Sequence, residues 1–532
     1  MKQTAVIIFR TVIVLLAGIT IGIMIGNGRI LGHDADVYEA GSSKSDQLLH
    51  LLKTNYVDSV NTDTLETTGI DHILQTLDPH SLYLPAQQAQ SVNERLEGGF
   101  DGVGIAYIIL HDTLAITQVT PGGPAAKAGL QNGDRVITVN HKVLAGTHLT
   151  LNKVWQMFKG EPNTTVTLGI LRWNGKAIQN YAIQQGHVIL SSLDAAYMVA
   201  PATGYIKISK FASTTDTDFK VALKGLQAKG LQRLILDLRG NGGGYLNAAT
   251  SLADEFLAKD KLIVYTQGVH ERRTDYFATD SGLFQQGRVA VLIDEHSASA
   301  SEILAGALQD WGRAQLVGRR SFGKGLVQEQ FPFNDGSVIN LTIARYYTPT
   351  GRSIQKSYAY GVDAYHNDLY ERAKDGELYS LNNPFTDSLL KTATKYHTPA
   401  GKNLYSGAGI MPDVFVPENR ALANPQVREL MSNQLFAAYA LDRMMPLLGK
   451  YPSANAFIKQ YQVSQDDFTS FIVYASQTLK EMDSQEIRAA ADYIKLQIKA
   501  GAIQLKWGDA AYYQFLNGQD ADIKKAVEIV NG

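Results

Sequence analysis

Apolar residues recur at helical spacing through the first part of the chain, over about residues 44–97. Leucines and isoleucines stand three or four positions apart around Leu51 and again around Ile73, and the pattern is interrupted at Pro79 and Pro85. Such a period places apolar side chains on one face of a helix, and proline ends helices. The pattern therefore predicts a small N-terminal helical region.

Short strand-like runs replace this pattern from residue 98 to about residue 188. The runs are 104–110, 113–119, 135–139 and 166–171, with turns rich in Gly, Pro and Asn between them and one helical pattern at 149–158. Short apolar runs bounded by turn residues are typical of strands. This part of the chain therefore predicts a β-rich module.

Strands and helices alternate over about residues 189–418. The predicted strands are 205–211, 231–238, 289–294 and 315–318, and the predicted helices are 216–228, 246–257 and 300–310. This alternation is typical of a parallel-rich α/β layer. We expect the polar stretch 356–402 to be an insertion between elements, and the helical spacing that resumes over 419–532 predicts a C-terminal helical region.

The extreme N-terminus has the pattern of a targeting segment. Basic residues precede the charge-free apolar run 11–28. A cleaved signal has an apolar region of roughly 7–15 residues and a spanning helix has roughly 20. Gly26-Asn27-Gly28 fits a cleavage site, but Arg29 would then stand directly after the cut. We expect an uncleaved signal anchor over residues 1–28, with the rest of the chain outside the cytoplasm, on the periplasmic side of the inner membrane; cleavage would make the protein secreted.

Composition excludes several classes of function. The 49 basic and 51 acidic residues leave a net charge of −2, without the basic patch that nucleic-acid binding requires. The chain has no cysteine, which excludes disulfides, thiolate metal sites and a cysteine nucleophile. We expect no metal and no cofactor.

A glycine-rich loop follows one predicted buried strand. The apolar run 234–238 leads into Arg239-Gly240-Asn241-Gly242-Gly243-Gly244, and a helix is predicted from Leu246. Glycine lets the backbone approach a ligand, and amides at a helix start can receive an anion or a developing oxyanion. The alternative is a tight turn with nothing bound, which is the more common role of an arbitrary glycine-rich loop.

Three serines stand at a second junction of this kind. Ser297, Ser299 and Ser301 follow the apolar run 291–293 and begin a predicted helix. Serine at a helix start is several times more often a cap than a nucleophile. The serines alone do not decide between these roles.

A lysine between two glycines favours the catalytic role for one of these serines. Lys324 lies between Gly323 and Gly325 in a loop that follows a predicted strand. A lysine becomes a base when burial lowers its pKa from about 10.4 by roughly 3 units. Catalytic lysines are activated in this way.

Three other motif matches lead to rival readings. Residues 318–324 fit G-x-x-x-x-G-K, but Gly325 stands where a nucleotide-binding loop needs Ser or Thr, and a strand-like run follows. Ser353 and Lys356 match S-x-x-K without the partner motifs of penicillin-recognising enzymes. A Ser-His-Asp triad that uses His296 is a minor rival, since the chain has no G-x-S-x-G elbow.

Several segments, which are weak signals when taken singly, together form a pattern that indicates one protein family. They are Asp237-Leu238-Arg239-Gly240-Asn241-Gly242-Gly243-Gly244, Ser297-Ala298-Ser299-Ala300-Ser301-Glu302-Ile303, Phe322-Gly323-Lys324-Gly325 with Gln328, and Tyr347-Thr348-Pro349 with Gly351-Arg352. This set resembles the carboxy-terminal processing, or tail-specific, protease family of PDZ-containing Ser/Lys serine peptidases. Leu77-Asp78-Pro79-His80-Ser81 and Gly409-Ile410-Met411-Pro412-Asp413 extend the resemblance, which spans roughly residues 78–417.

The resemblance implies a role for each matching residue. It makes Ser299 the nucleophile, Lys324 the general base and Gln328 the residue that orients the lysine. It places the oxyanion hole at the Ala300 amide with that of Gly242 or Gly243. The peptide-binding loop of the PDZ domain would be Gly102, Val103, Gly104 and Ile105.

The fold expected from the resemblance is multidomain and α+β. It comprises the signal anchor 1–28, an N-terminal helical region 44–97, a PDZ domain 98–188, a peptidase core 189–418 of the α/β, crotonase/ClpP-like type, and the helical region 419–532. Family roles do not extend to the insertion 356–402 or beyond residue 419.

The expected function is that of a serine endopeptidase that cleaves extracytoplasmic proteins near nonpolar carboxy-terminal tails held by the PDZ domain. The expected partners are protein or peptide substrates with exposed carboxy-termini, the membrane, and a second copy of the chain in a homodimer. Two alternatives remain: a membrane-anchored PDZ scaffold that does not cut, and a hydrolytic or ligand-binding protein with a non-peptide substrate.

Overall fold

The computed structural model describes residues 18–19, 43–158, 163–380, 391 and 393–532, in two units, Met1–Thr76 and Leu77–Gly532. The expected anchor, residues 1–28, lies outside the described residues except for residues 18 and 19. Across the described ranges, no helix is both long enough and apolar enough to span a membrane.

Residues 43–76 of the first unit contain two helices, α1 (Lys44–Asn55) and α2 (Thr62–Gln75). Ser43 caps α1 through a reciprocal pair of hydrogen bonds with Asp46, and the Asn61 side chain caps α2. The capping box at Ser43 and the simple cap at Asn61 satisfy amides that the helix start leaves unpaired. The helical prediction is confirmed for residues 44–75, whereas residues 77–97 belong to the second unit and contain a strand as well as a helix.

The second unit begins with elements that flank the core. Strand β1 (Leu82–Leu84) leads into α3 (Ala86–Glu97), which ends at Gly98 in the left-handed region, φ 79°. Strand β2 (Gly99–Gly102) follows. The left-handed conformation at the end of α3 favours glycine, because glycine has no Cβ to clash with the backbone.

The predicted PDZ module is an antiparallel sheet. Its elements are β3 (Ile105–Leu110), β4 (Thr113–Val119), α4 (Pro124–Lys127), β5 (Arg135–Val139), β6 (Lys142–Val143), α5 (Leu151–Phe158), β7 (Thr165–Leu171) and β8 (Gln179–Gln184), followed by β9 (Gly186–Ile189). The strand order is β3-β4-β5-β7-β8, β6 pairs with β5, and β9 pairs with β2 outside this sheet. Buried residues such as Leu114, Val136 and Ile170 form its core. The four strands predicted here are confirmed.

The described residues of the third part of the chain form two larger sheets and one two-stranded sheet. Its elements are β10 (Leu193–Ala200), β11 (Thr203–Ile208), α6 (Thr215–Gln227), β12 (Arg233–Asp237), α7 (Leu246–Asp254), β13 (Leu262–Gln267), β14 (Thr274–Phe277), β15 (Arg288–Ile293), α8 (Ala300–Asp310), β16 (Gln315–Gly318), β17 (Leu326–Pro332), β18 (Val338–Tyr347), α9 (Val362–Lys374), β19 (Lys395–His397), β20 (Asn403–Tyr405) and β21 (Val414–Phe415). The main sheet runs β10-β11-β12-β15-β16-β21 and is parallel from β11 onward. The predicted α/β layer is therefore confirmed. An antiparallel sheet, β1-β18-β13-β14 with β17 on β18, was not predicted.

The polar stretch 356–402 is packed more closely than its composition suggests. Arg372 of α9 is 1% exposed, pairs with the buried Glu377, and donates to the carbonyls of Arg320 and Ser321. Buried charges are tolerated when they are paired and hydrogen-bonded. Part of the predicted insertion therefore supports the loop that precedes Lys324.

The C-terminal region is helical, as predicted. Its helices are α10 (Arg420–Ala423), α11 (Pro425–Ser432), α12 (Leu435–Tyr439), α13 (Met445–Leu448), α14 (Ala454–Gln460), α15 (Gln465–Ala475), α16 (Ser484–Ala489), α17 (Ala491–Asn517) and α18 (Ala521–Asn531). Asp442 pairs with His111 and Arg135 of the PDZ module. Ile523 of α18 packs in the core of the main sheet. The region thus contacts both the PDZ module and the peptidase core.

Changing Arg352 to Met should destabilise the chain by about 3–5 kcal/mol, because it leaves the carboxylate of Asp310 buried without its cation. The two side chains are 1% and 0% exposed and lie 2.8 Å apart. Thermal unfolding checks the change. The double variant Arg352→Met, Asp310→Asn should recover part of the loss, since no buried charge is left unpaired. A single variant as stable as the parent would contradict the expectation.

Candidate active site

Three loops meet at one edge of the main sheet. Strands β12, β15 and β16 are parallel neighbours, so their carboxyl ends point the same way. Ligands of α/β sheets bind beyond these ends. The glycine-rich loop, the serine junction and the lysine loop follow these three strands. The Gly240 amide donates to the carboxylate of Asp294 at 3.0 Å and joins the first two loops.

The structure separates the three serines. Ser297 Oγ donates to the carbonyl of Leu238 at 2.9 Å, and Ser301 Oγ donates to the carbonyl of Asn241 at 2.9 Å. Both are buried. Ser299 instead lines a cavity of about 540 Å³. The two outer serines join the loops, and the middle one faces open space.

The backbone of Ser299 is strained, with φ 55° and ψ −115° at the start of α8. This region is sparsely populated for residues with a Cβ, and strain of this kind occurs at functional sites. The adjacent loop approaches closely, since a Cβ on Gly243 would lie 2.8 Å from Ser299 Cβ. Gly243 therefore has to be glycine.

Glu302 holds the backbone on both sides of the site. Its buried carboxylate accepts from the amides of Ser299 at 2.9 Å, Gly323 at 2.7 Å and Lys324 at 2.9 Å. The hydroxyl of Ser321 is a fourth donor. Burial raises the pKa of Glu302 to about 7, against the effect of these donors. Amides only donate, so the arrangement matches the ionised carboxylate.

Tyr346 of β18 forms a second bridge between the two loops. Its hydroxyl lies 3.1 Å from the carbonyl oxygen of Ser299 and also contacts that of Lys324. The side chain is 1% exposed. Glu302 and Tyr346 thus fix the same two residues, one through their amides and the other through their carbonyls.

Lys324 lines the same cavity as Ser299. Burial lowers its pKa, while the carboxylates of Asp78 and Glu302 act in the opposite direction. The described residues include no hydrogen bond between the Lys324 ammonium and either Ser299 or Gln328. Its role as the base remains a prediction.

A chain of hydrogen bonds leads from Gln328 to Asp78, near the start of the second unit. Gln328 Nε2 donates to Thr342 Oγ1 at 3.1 Å, and this hydroxyl donates to Asp78 Oδ1 at 3.1 Å. Ser81 Oγ donates to the same carboxylate at 2.7 Å. Burial and the charge of Lys324 lower the pKa of His80 to about 3, so this imidazole is neutral.

The structure distinguishes between the expected oxyanion donors. The Gly243 amide donates to Asn241 Oδ1 at 2.9 Å and is therefore occupied. The amides of Gly242 and Ala300 have no acceptor among the described residues. Gly242 with Ala300 therefore fits an oxyanion hole better than Gly243 does.

The expected peptide loop of the PDZ module lies apart from this cavity. Val103 is buried, and Gly104 has φ 78°. The carbonyls of both residues accept hydrogen bonds from neighbouring loops, whereas their amides have no acceptor in the described part of the chain. Free amides next to the edge strand β3 suit a carboxylate.

The rival motifs do not form sites. The loop 318–324 leads into strand β17 rather than a helix. Lys356 is buried against the carboxylate of Asp368 at 3.0 Å. His296 is exposed.

Family profiles match three parts of the chain. Residues 115–172 match the PDZ domain, residues 202–364 match Peptidase family S41, and residues 426–508 match a family of unknown function, DUF8443. The first two matches coincide with the PDZ module and with the loops of the candidate site.

Two relatives extend the match beyond single domains. The carboxy-terminal-processing protease of Bartonella bacilliformis is 33% identical over 354 residues, which cover 65% of this chain and 80% of that protein. The carboxy-terminal processing protease CtpB of Bacillus subtilis is 34% identical over 316 residues, 59% of this chain and 65% of that protein. This chain belongs to the carboxy-terminal processing proteases of peptidase family S41.

Solved structures of lower overall similarity were also found. The photosystem II D1 C-terminal processing protease has 26% identity and a TM-score of 0.34, covering 59% of this protease and 91% of that chain. A PDZ domain of a carboxy-terminal protease from Vibrio cholerae, in complex with a peptide, has 28% identity and a TM-score of 0.16, covering 17% of this protease and 99% of that chain.

Two residues of this protease had no role assigned from the sequence. Glu302 stands three positions after Ser299, which is the spacing of a capping box, so a sequence signal existed. Tyr346 directly precedes the Tyr347-Thr348-Pro349 motif but lies in an unpredicted strand. Neither spacing reveals that both side chains bridge to the lysine loop.

Changing Glu302 to Gln should lower kcat by roughly 10–100-fold, since in either orientation the amide NH₂ would face at least one backbone N–H donor and leave it unsatisfied. Steady-state cleavage of an unstructured protein measures the effect. The control is Glu528→Gln, which removes an exposed carboxylate paired with Lys525 and should leave kcat unchanged. Equal activity of both variants would show that the four hydrogen bonds do not position the site.

Proposed function

We propose that this protease is a serine endopeptidase that cleaves protein chains through a Ser299 acyl-enzyme, with Lys324 as general base. One observation carries the proposal: a single buried carboxylate fixes the amides of Ser299 and Lys324 on two loops that line one cavity. Burial also lowers the pKa of the lysine, as a base at this position requires.

In the proposed reaction, neutral Lys324 takes the proton of Ser299 Oγ as this oxygen attacks the scissile carbonyl. The lysine then gives the proton to the leaving amine. Water enters, loses a proton to Lys324 and hydrolyses the acyl-enzyme, and the lysine returns this proton to Ser299 Oγ as the ester bond breaks. The amides of Gly242 and Ala300 receive the oxyanion, and removing such a donor costs roughly 3–4 kcal/mol of transition-state stabilisation in comparable sites.

The cavity supports a preference for apolar substrates. Its wall includes the side chains of Leu84, Val92, Leu246, Ile303 and Leu326. These apolar residues favour an apolar substrate side chain, and the same wall also contains polar residues such as Asn93, Glu329 and Gln330. The PDZ loop would capture a nonpolar carboxy-terminal tail and raise its local concentration.

The proposed location is extracytoplasmic. Basic residues before the apolar run 11–28 support an anchor with the catalytic part outside the cytoplasm. Protease digestion of spheroplasts, read with an antibody against the catalytic part, tests this location. Protection of the catalytic part in intact spheroplasts would place it in the cytoplasm and contradict the proposal.

The purified protein should digest an unstructured protein with a nonpolar carboxy-terminus, and Ser299→Ala and Lys324→Ala should each abolish cleavage. Mass spectrometry identifies the bonds that are cut. Circular dichroism and binding of a carboxy-terminal peptide are the controls, and both variants should retain them. An active Lys324→Ala variant would exclude the dyad, and peptide binding without cleavage by the parent would indicate a scaffold.

The cleavage rate should rise with pH through the lowered pKa of Lys324, because only the neutral amine accepts the serine proton. Asp78 raises this pKa, so Asp78→Asn should move the midpoint of the rise to lower pH. The pH profile of kcat/KM measures the midpoint, with Asp71→Asn in the first unit as control. A midpoint that does not move, or that moves upward, would contradict the assignment.

A further inference from the structure

Strand β3 has one unpaired side. It pairs with β4 and lies at the end of its sheet, and no strand in the described ranges pairs with its other edge. The candidate carboxylate loop, residues 102–105, leads directly into this strand. An exposed edge of this kind can receive a peptide as an added strand.

The C-terminal helical region faces this free edge across a second cavity of about 500 Å³. One wall consists of Tyr107 to Leu110 of β3 and the following His111, with Leu151 of α5. The other wall consists of residues from the turn before α12 and from the end of α15. They are Asn433, Gln434, Leu435, Ala438, Tyr474, Gln477 and Thr478. The region that matches DUF8443 thus supplies half of the groove.

The second wall is held firmly against the first. Asp442 accepts from His111 Nε2 at 2.7 Å and from Tyr474 Oη at 2.9 Å. Ile108 and Leu110 of β3 are buried in the core of the helical region. The groove is therefore a built feature of the fold.

Gln434 provides a second observation at the same place. It has φ 54° and ψ 30°, a left-handed conformation that is uncommon for residues with a Cβ, and it joins α11 to α12. Backbone strain of this kind clusters at ligand sites and turns. Here it turns the chain where the wall faces β3.

The position of the groove sets which part of a peptide it receives. A peptide whose carboxylate lies at residues 102–105 and which extends along β3 must run antiparallel to it. Strand residues pair one to one at roughly 3.3 Å per residue. Tyr107 to His111 therefore face substrate residues about two to six places before the carboxy-terminus.

We propose that the C-terminal helical region is the second wall of an extended peptide groove and selects uncharged residues about four to six places before the substrate's carboxy-terminus. The proposal rests on peptide capture by the PDZ loop. The described residues that line the groove supply amides, hydroxyls, apolar groups and the imidazole of His111, and they include no Asp, Glu, Lys or Arg. A charged substrate side chain would find no partner there.

Fluorescence anisotropy on the full chain carrying Ser299→Ala tests this proposal with labelled peptides that share one nonpolar carboxy-terminal tetrapeptide. An uncharged octapeptide should bind about tenfold more tightly than the tetrapeptide, which corresponds to about 1.4 kcal/mol. Lysine at the fifth place from the terminus should remove this gain. Adding Gln477→Glu should restore it for the lysine peptide, whereas the control Gln485→Glu, on an exposed residue outside the groove, should not.

Equal affinities for the tetrapeptide and the uncharged octapeptide would overturn the proposal of a second wall. Equal affinities of the two glutamate variants for the lysine peptide would overturn it as well. Failure of every peptide to bind would overturn capture by the PDZ loop and this inference with it. The digestion assay decides separately whether the chain is a peptidase.

Discussion

The active site depends on the buried carboxylate of Glu302, which accepts hydrogen bonds from both loops that carry the proposed chemistry. Ser299 and Lys324 follow different strands, and neither loop alone fixes the distance between them. Burying a carboxylate is unfavourable unless its oxygens are satisfied. Four donors meet this condition here, so the ionised group is stable only when both loops are in place.

The lysine requires the opposite environment. A neutral amine is favoured by burial and disfavoured by nearby carboxylates. Tyr346 adds a second bridge between the loops without adding a charge, because its one hydroxyl hydrogen lies between their carbonyl oxygens. Asp78, whose charge raises the pKa of Lys324, accepts hydrogen bonds from Thr342 and Ser81. The site thus combines a fixed backbone with a cavity in which the lysine pKa stays low.

Much of this arrangement could be predicted from the sequence, because its loops follow strongly apolar parallel strands and carry unusual glycine patterns. Strand β18 escaped prediction because most of its residues are half-buried and it includes polar residues such as Thr342, which bonds within the site. The stretch 356–402 resembled an insertion because the charges of Arg372 and Glu377 look solvated until their pairing is seen. The sequence also does not show that the Gly243 amide is occupied, because its acceptor is the side chain of Asn241.

The C-terminal region connects the two functional parts of the second unit. Its α17 contacts both β4 and β10, and Asp520 and Asp522 pair with Arg239 of the glycine-rich loop at 2.8 Å. Moving the PDZ module would expose Ile108 and Leu110, and each such side chain costs roughly 1.5–3 kcal/mol to remove from an apolar core. It would also break the ion pairs of Asp442. These contacts favour a PDZ module that holds substrate in a fixed place over one that swings as a gate.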